Sequence, residues 1–255
     1  MIPPLPDAFL RTPIAHRALH DIRDNRPENS RAAVAAAVRS GYGIEIDLQL
    51  TSDGRAMVFH DYDLLRLTGQ TGAIQQITRA EAAKIPLLHG DEGIPSLEQV
   101  LDLVAGRVPL LIEFKDQDGE MGANVGALEQ AVVELLRRYA GPVALMSFNP
   151  HTVAELARLA PQLPRGIVTC SYQPKVEHLP VGVCDHLRDI PDFDRVEASF
   201  ISHEVQDLSR PRVAELKAQG VPILCWTVRS AEQEAEARKV ADNVTFENYL
   251  AAIPG

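Results

Sequence analysis

The sequence predicts a (β/α)8 barrel, the TIM barrel, on three observations. Eight short apolar runs with strand character alternate with longer helical patterns along the chain. The runs are almost continuously apolar, which is typical of parallel strands that are covered on both faces. The length of 255 residues is close to that of one such barrel. We therefore expect one domain over residues 1–255.

Each of the eight strand-like runs is bounded by glycine, proline or polar residues. In chain order the runs cover residues 13–16, 43–48, 109–114, 143–148, 166–170, 198–202, 222–228 and 243–246. The helical patterns between them cover residues 29–40, 96–104, 126–139, 150–159, 209–219 and 231–240. Gly41 is a stop signal after the first pattern, and Ser96 is suited to cap the second. The segment 172–197 is rich in proline, and its pattern does not place a helix.

One stretch breaks the alternation of strands and helices. A short apolar run at residues 56–60 follows the second strand, and a polar segment without a clear period then continues to about residue 95. This segment is either a surface loop or an insertion above the carboxyl-terminal mouth of the barrel, where loops of this fold carry specificity.

Composition and charge exclude several classes of protein. The chain has 25 lysines and arginines against 35 aspartates and glutamates, a net charge of −10, which argues against a nucleic-acid binder. No apolar stretch is long enough to insert stably in a membrane. The three cysteines, Cys170, Cys184 and Cys225, form no C-x-x-C pair, so we expect reduced thiols and a cytoplasmic protein. The sequence indicates no oligomeric state.

Charged and imidazole side chains lie where the predicted strands end. Glu45 and Asp47 are two residues apart in an apolar strand, so both project to one face. Burying an unpaired carboxylate is costly, so these two residues need a reason to be there. The other candidates end neighbouring runs: His16, Arg17, His60, Glu113 and Lys115. Since the ends of parallel barrel strands converge on one mouth, we expect a single site.

This set of residue types indicates phosphate-ester chemistry. The three carboxylates could share protons or pair with Arg17 and Lys115, but a divalent cation satisfies them more economically. An all-oxygen ligand set favours Mg²⁺ or Ca²⁺ over zinc. A hard metal with two basic side chains is suited to bind and polarise a phosphate ester. Two histidines are suited to general acid and base catalysis near pH 7.

Motifs spread over nearly the whole chain, from about residue 14 to 248, resemble those of the glycerophosphodiester phosphodiesterase family. In chain order these motifs include His16-Arg17, Pro27-Glu28-Asn29-Ser30, Glu45-Ile46-Asp47-Leu48, Val58-Phe59-His60-Asp61, Leu64-Leu65-Arg66-Leu67-Thr68, Ile112-Glu113-Phe114-Lys115 and Trp226-Thr227-Val228. The resemblance implies a TIM barrel with a small insertion after the second strand, here at about residues 62–95. It also implies hydrolysis of small glycerophosphodiesters, such as glycerophosphocholine, to glycerol 3-phosphate and an alcohol.

The resemblance also implies roles for individual residues. The metal ligands would be Glu45, Asp47 and Glu113, the acid–base pair His16 and His60, and the phosphate contacts Arg17 and Lys115. Glu28 is expected near the metal or His16. Trp226 is expected to line the mouth beside the glycerol or the leaving group, although it could equally be an aromatic that caps the core.

Two positions depart from the family pattern. Ala18 stands where the family usually has glycine after His-Arg, and this alanine is strained if the position needs a positive φ. The last strand ends in Phe246-Glu247-Asn248-Tyr249 instead of Thr-Asp-x-Pro, which changes the final loop and its substrate contacts. Neither change removes a proposed ligand or acid–base residue, so we expect an active enzyme.

Several alternatives stay open at this stage. The nucleophile is either water or a free glycerol hydroxyl, which would give a cyclic phosphate. One rival function is a lysophospholipase D or sphingomyelinase D-like activity on a single-chain lipid, and another is an inactive barrel that binds a phosphorylated metabolite. The remaining histidines His151, His178, His186 and His203 are expected to be structural or superficial, and among them His203 is the best candidate for a substrate contact.

Overall fold

In the computed structural model, which describes residues 2–254 apart from the side chain of Glu177, eight parallel strands close into a barrel. With one short added strand, β3, the nine described strands are β1 (Ile14–Ala15), β2 (Gly43–Leu50), β3 (Ala56–Val58), β4 (Leu110–Phe114), β5 (Val143–Ser147), β6 (Arg165–Thr169), β7 (Phe200–Glu204), β8 (Ile223–Val228) and β9 (Asn243–Phe246). Neighbours pair in chain order, β9 pairs with β1, and the short β3 is antiparallel to β2. The predicted TIM barrel is confirmed.

Helices connect the strands, and their ends follow from the sequence. They are α1 (Ala8–Arg11), α2 (Arg31–Ser40), α3 (Leu65–Thr68), α4 (Arg79–Ala82), α5 (Leu97–Val104), α6 (Ala127–Leu136), α7 (Pro150–Leu159), α8 (Pro174–Glu177), α9 (Val181–Arg188), α10 (Pro211–Ala218) and α11 (Ala231–Ala237). The Ser30 hydroxyl accepts a hydrogen bond from the Ala33 amide to cap α2, and Gly41, at φ +76°, ends it. Among the described residues no helix is long and apolar enough to cross a membrane.

The alternation of side chains along β2 decides what the barrel can hold. Ile44 and Ile46 point outward into the apolar layer between the strands and the covering helices. Glu45 and Asp47 therefore point inward, above a smaller apolar cluster inside the barrel that includes Leu111. Phe9 of α1 belongs to the same inner cluster. Apolar packing therefore fills the lower barrel and leaves the polar groups at the mouth.

Residues 62–95, predicted as the insertion, pack around an apolar cluster of their own. Its buried members from this segment are Leu64, Leu67, Ile74, Ala82, Ile85, Leu87 and Ile94. Met57 and Phe59, from and just after β3, complete the cluster and join the segment to the barrel. The short helices α3 and α4 therefore rest on a packed base joined to β3, which fixes where their polar side chains lie.

Candidate active site

The carboxyl-terminal ends of the strands surround a cavity of about 580 Å³, a volume suited to a small-molecule ligand. Eight of the nine residues predicted for the site line it: His16, Arg17, Glu45, Asp47, His60, Glu113, Lys115 and Trp226. The ninth, Glu28, lies behind the wall and bonds to Arg17. The structure thus brings together side chains that are as far apart in the chain as His16 and Trp226.

Three carboxylates form the floor of the cavity. Parallel pairing of β2 with β4 sets Asp47 opposite Glu113, and Glu45 lies two residues before Asp47. One carboxylate oxygen from each lies within 4.8 Å of the other two, and all three residues are buried. Burial and the two neighbouring carboxylates raise the pKa of Glu45 well above its usual range. Three negative groups this close need positive charge among them.

The protein supplies only part of that positive charge. Lys115 Nζ donates to Asp47 Oδ1 at 2.7 Å and also contacts Glu113. Burial alone would raise the pKa of Asp47, but Lys115, His60 and Arg17 hold it well below its usual range. Glu45 Oε1 is buried without a hydrogen-bond partner. An unsatisfied oxygen in an all-carboxylate cluster fits a metal ion, so these residues can hold one.

A strained turn after β1 connects this cluster to Arg17. Arg17 and Ala18 both adopt left-handed backbone conformations, with φ of +51° and +64°. The turn directs the Arg17 amide to Glu45 Oε2, at 2.8 Å. The position of Ala18 therefore does require a positive φ, and alanine carries a steric cost there that glycine would avoid.

His16 is held by a carboxylate from the opposite end of the chain. Its Nδ1 donates to Glu247 Oε2 at 2.7 Å, and Glu247 Oε1 accepts from Arg229 Nε at 2.7 Å. Burial lowers the pKa of His16, with Arg17 acting in the same direction and the bond to Glu247 opposing them. His16 is therefore neutral near pH 7. Glu247, one of the two departures from the family pattern, is the orienting partner of this imidazole.

His60 is held in a similar way by its own neighbour. Its Nδ1 donates to Asp61 Oδ1 at 2.7 Å. Arg66 donates to both oxygens of Asp61, from Nε at 2.7 Å and from Nη2 at 2.8 Å. Burial alone would raise the pKa of Asp61, but its hydrogen bonds to His60 and Arg66 hold it well below the usual range. Asp61 is thus a stable anion that leaves Nε2 of His60 to exchange protons.

Among the described residues, Glu28 bonds to two arginines and to neither the carboxylate cluster nor His16. It accepts from Arg17 Nη1 at 2.8 Å and from Arg66 Nη1 and Nη2 at 2.8 and 2.9 Å. Arg17 Nε is buried, has no hydrogen-bond partner and lies 3.7 Å from Asp47 Oδ2. Glu28 thereby fixes one edge of the Arg17 guanidinium and leaves the other edge beside the carboxylate cluster.

The other wall of the cavity is apolar. Trp226 packs edge-on against Phe148, with ring centroids 5.5 Å apart, and its Nε1 donates to the Ser202 carbonyl at 3.0 Å. Met146 and Leu179 continue this wall. A charged half that can hold an anion therefore faces an apolar half that can hold carbon atoms, which is the arrangement a phosphodiester of small alcohols needs.

One of the remaining histidines differs from expectation. His203 is fully buried, bonded through Nδ1 to Thr169 Oγ1 at 2.7 Å and through Nε2 to the Asp207 carbonyl at 3.1 Å. It is a structural residue, as expected for these histidines, and does not line the cavity. His178, expected to be structural or superficial, lines the cavity instead. It lies in the segment 172–197, where no periodic pattern placed any residue, so the sequence held no signal for it.

Comparisons with known proteins identify the family of this chain. A model of the glycerophosphoryl diester phosphodiesterase family matches residues 16–245. A glycerophosphodiester phosphodiesterase of Bacillus altitudinis is 32% identical over 86% of this chain and 86% of its own length. One from Caldanaerobacter subterraneus is 28% identical over 91% of both chains.

Solved structures show the same fold. A phosphodiesterase of Oleispira antarctica, solved in complex with the product sn-glycerol-3-phosphate, superposes with a TM-score of 0.77 at 22% identity, over 95% of this chain and 94% of that one. A glycerophosphodiester phosphodiesterase of Parabacteroides distasonis superposes with a TM-score of 0.73 at 24% identity, over 92% of both chains. Because the family model spans nearly the whole sequence, the chain belongs to the glycerophosphoryl diester phosphodiesterase family.

Proposed function

We propose that this protein hydrolyses small glycerophosphodiesters, such as glycerophosphocholine, to glycerol 3-phosphate and an alcohol, with Mg²⁺ or Ca²⁺ as cofactor. One observation carries the proposal: two carboxylate-bound histidines, His16 and His60, face one cavity whose floor is a buried carboxylate cluster. A solved relative in fold, from Oleispira antarctica, is in complex with sn-glycerol-3-phosphate, which supports a substrate of this class.

The charged half of the cavity would bind the phosphodiester. Glu45, Asp47 and Glu113 would hold the cation, which when bound neutralises phosphate charge and polarises a phosphoryl oxygen. Arg17 and Lys115 add two positive groups on the same wall. Arg17 is held on one edge by Glu28, so its orientation toward an anion needs little further ordering on binding.

The two histidines would divide the proton transfers. His16 is neutral near pH 7 because burial lowers its pKa, so it is suited to accept the proton of the nucleophile. His60, with Asp61 on Nδ1, is suited to protonate the leaving oxygen from Nε2. Water and a glycerol hydroxyl both remain candidates for the nucleophile. Detection of a cyclic glycerophosphate intermediate would identify the hydroxyl.

The experiment that tests this function measures glycerol 3-phosphate released from glycerophosphocholine, with added Mg²⁺ or Ca²⁺ and after chelation. We expect release that stops on chelation and returns with metal. Glu45→Gln is the matched variant, because it keeps the shape of the side chain and removes one anionic ligand. Release that is unaffected by chelation would contradict the metal role, and binding of the diester without turnover would favour an inactive binding barrel.

A lipid phosphodiesterase is the second candidate, and exposed apolar side chains in two segments that contribute to the cavity lining favour it. Leu65 and Leu88, in the segment 62–95, are 57% and 44% exposed, and Val176 and Val181, close in sequence to the cavity-lining His178, are 65% and 62% exposed. Such side chains are suited to contact the chain of a single-chain lipid. Rates on glycerophosphocholine and lysophosphatidylcholine, compared under one condition, would separate the two candidates.

A further inference from the structure

Arg66 has no role among the proposed metal, phosphate and acid–base residues, yet it bonds to two carboxylates that hold residues of the cavity. Its guanidinium donates two hydrogen bonds to Asp61 and two to Glu28, at 2.7 to 2.9 Å. Both carboxylates are side chains that themselves hold a residue of the cavity: Asp61 holds His60, and Glu28 holds Arg17. One guanidinium thus joins the proposed general acid to the proposed phosphate ligand through one carboxylate each.

Arg66 does not itself line the 580 Å³ cavity. Its side chain is 47% exposed and, together with Glu28, borders another, larger cavity of about 850 Å³. Arg66 therefore connects to the cavity residues through its bonds to Asp61 and Glu28. Its partners Glu28 and Asp61 are only 14% and 18% exposed, so these bidentate ion pairs also add to the stability of this part of the molecule.

The bonding pattern is specific to arginine. A planar guanidinium presents its N–H groups along two edges, and here one edge meets Asp61 while Nη1 and Nη2 meet Glu28. A lysine ammonium at this position would be a point charge that cannot satisfy both carboxylates in one plane. Arg66 lies on α3, and the nearby Leu64 and Leu67 are buried in the apolar cluster of residues 62–95. This side chain thereby bonds the segment to both carboxylates.

We infer that Arg66 is a positioning residue that holds the His60 imidazole and the Arg17 guanidinium in their working orientations. This inference rests on the proposed phosphodiesterase reaction. Its expected signature is a split between kinetic constants. Loss of the bond to Asp61 frees His60 and lowers kcat, and loss of the bond to Glu28 frees Arg17 and raises KM for the diester.

The kinetic test compares Arg66→Met and Arg66→Lys with wild type. We expect Arg66→Met to lower kcat/KM by about 10- to 100-fold, as for other residues that orient a functional histidine, and Arg66→Lys to recover only part of it. Arg79→Met is the matched control: Arg79 lies in the same segment, is 41% exposed and pairs with Glu98 away from the cavity. Values of kcat and KM for Arg66→Met within about twofold of the control would overturn the inference.

A double-mutant cycle shows whether Arg66 acts through Asp61. If it does, Asp61→Asn combined with Arg66→Met should lose scarcely more kcat than Asp61→Asn alone, because the two changes break one connection. Losses in kcat that multiply would contradict this path.

A readout that needs no turnover separates this inference from the proposed function. In ¹⁵N-histidine-labelled wild type, His60 should be a single Nδ1–H tautomer, and in Arg66→Met its ring should average between tautomers. An unchanged His60 spectrum in the variant would overturn the inference even if the enzyme is active. If wild type is inactive on every diester while the His60 spectrum of Arg66→Met changes as expected, the proposed function is wrong. The contact by which Arg66 positions His60 would still be supported.

Discussion

His16 and His60 face the same cavity with the same hydrogen-bond pattern, yet different parts of the molecule hold them. His16 follows β1 and pairs with Glu247, which follows β9, so closing the barrel creates this pair. His60 follows β3 and pairs with Asp61, which Arg66 of the segment 62–95 holds in turn. The His16 side chain is 14% exposed and that of His60 is 30% exposed.

Because of this difference, we expect the residues around His16 and those around His60 to differ in how well they tolerate substitution. The His16 half is part of the barrel, so a change there disturbs strand pairing and the strained turn at Arg17 and Ala18. The His60 half depends on a separately packed segment at the mouth, where this fold tolerates variation. We therefore expect substitutions in the His60 half to change catalysis with less effect on folding than substitutions in the His16 half. The following changes test this expectation.

The largest effects are expected from removing either imidazole. His16→Ala and His60→Ala should each lower kcat for glycerophosphocholine by at least about 100-fold, the low end for the loss of one acid–base group. Steady-state kinetics with saturating metal would measure this, with circular dichroism as a check on folding. Near-wild-type rates in both variants would exclude the acid–base assignment.

The partner carboxylates should matter less than the imidazoles. Glu247→Gln and Asp61→Asn should each cost about 10- to 100-fold in kcat, because the ring remains but its tautomer and orientation are no longer fixed by an anion. We expect the barrel half to be more sensitive to folding, so Glu247→Gln should also lower the melting temperature more than Asp61→Asn does. The opposite order of melting temperatures would contradict the comparison.

The pH dependence should identify which histidine is the base. Burial lowers the pKa of His16, so a base at this position stays deprotonated below pH 6.5, and kcat/KM should fall only at lower pH than that. The bond to Glu247 opposes this lowering, so Glu247→Gln should move the acidic limb to still lower pH. A limb that moves to higher pH in Glu247→Gln, or not at all, would argue against His16 as the base.

The smallest effect is expected at the strained turn of the His16 half. Ala18→Gly should relieve a left-handed alanine that costs about 1–2 kcal/mol, against about 0.4–1 kcal/mol of extra unfolded-state entropy for glycine. The free energy of unfolding, measured with urea, should rise by up to about 1.6 kcal/mol, with kcat kept. A loss of more than about 1 kcal/mol would mean that the buried methyl group of Ala18 packs better than its backbone suggests.

The structure confirms those features that follow from the periodicity of apolar residues in the sequence. Uninterrupted apolar runs gave the barrel, and the i, i+2 spacing of Glu45 and Asp47 placed both carboxylates on its inner face. The family and enzyme class that the motifs indicated are confirmed as well. The roles of the individual site residues stay predictions.

The rest could not be read from the sequence because it depends on distant chain segments meeting. Glu247, the partner of His16, is 231 residues away in the chain and is brought near by the closure of the barrel. In the sequence it is therefore visible only as a departure from the family pattern. Arg66 reaches Glu28 across 38 residues through the packing of a segment without a clear period. His178 lies in a stretch with no pattern at all.

The central claim is that the two histidines divide the proton transfers, and leaving-group chemistry tests it most directly. Each histidine variant is assayed on two diesters of glycerol 3-phosphate, one with choline and one with p-nitrophenol. A good leaving group needs no protonation, so the loss caused by His60→Ala should shrink from at least about 100-fold to below about tenfold on the nitrophenyl ester. The loss caused by His16→Ala should stay the same on both. Equal losses for His60→Ala on both esters, or a shrinking loss for His16→Ala, would contradict the account.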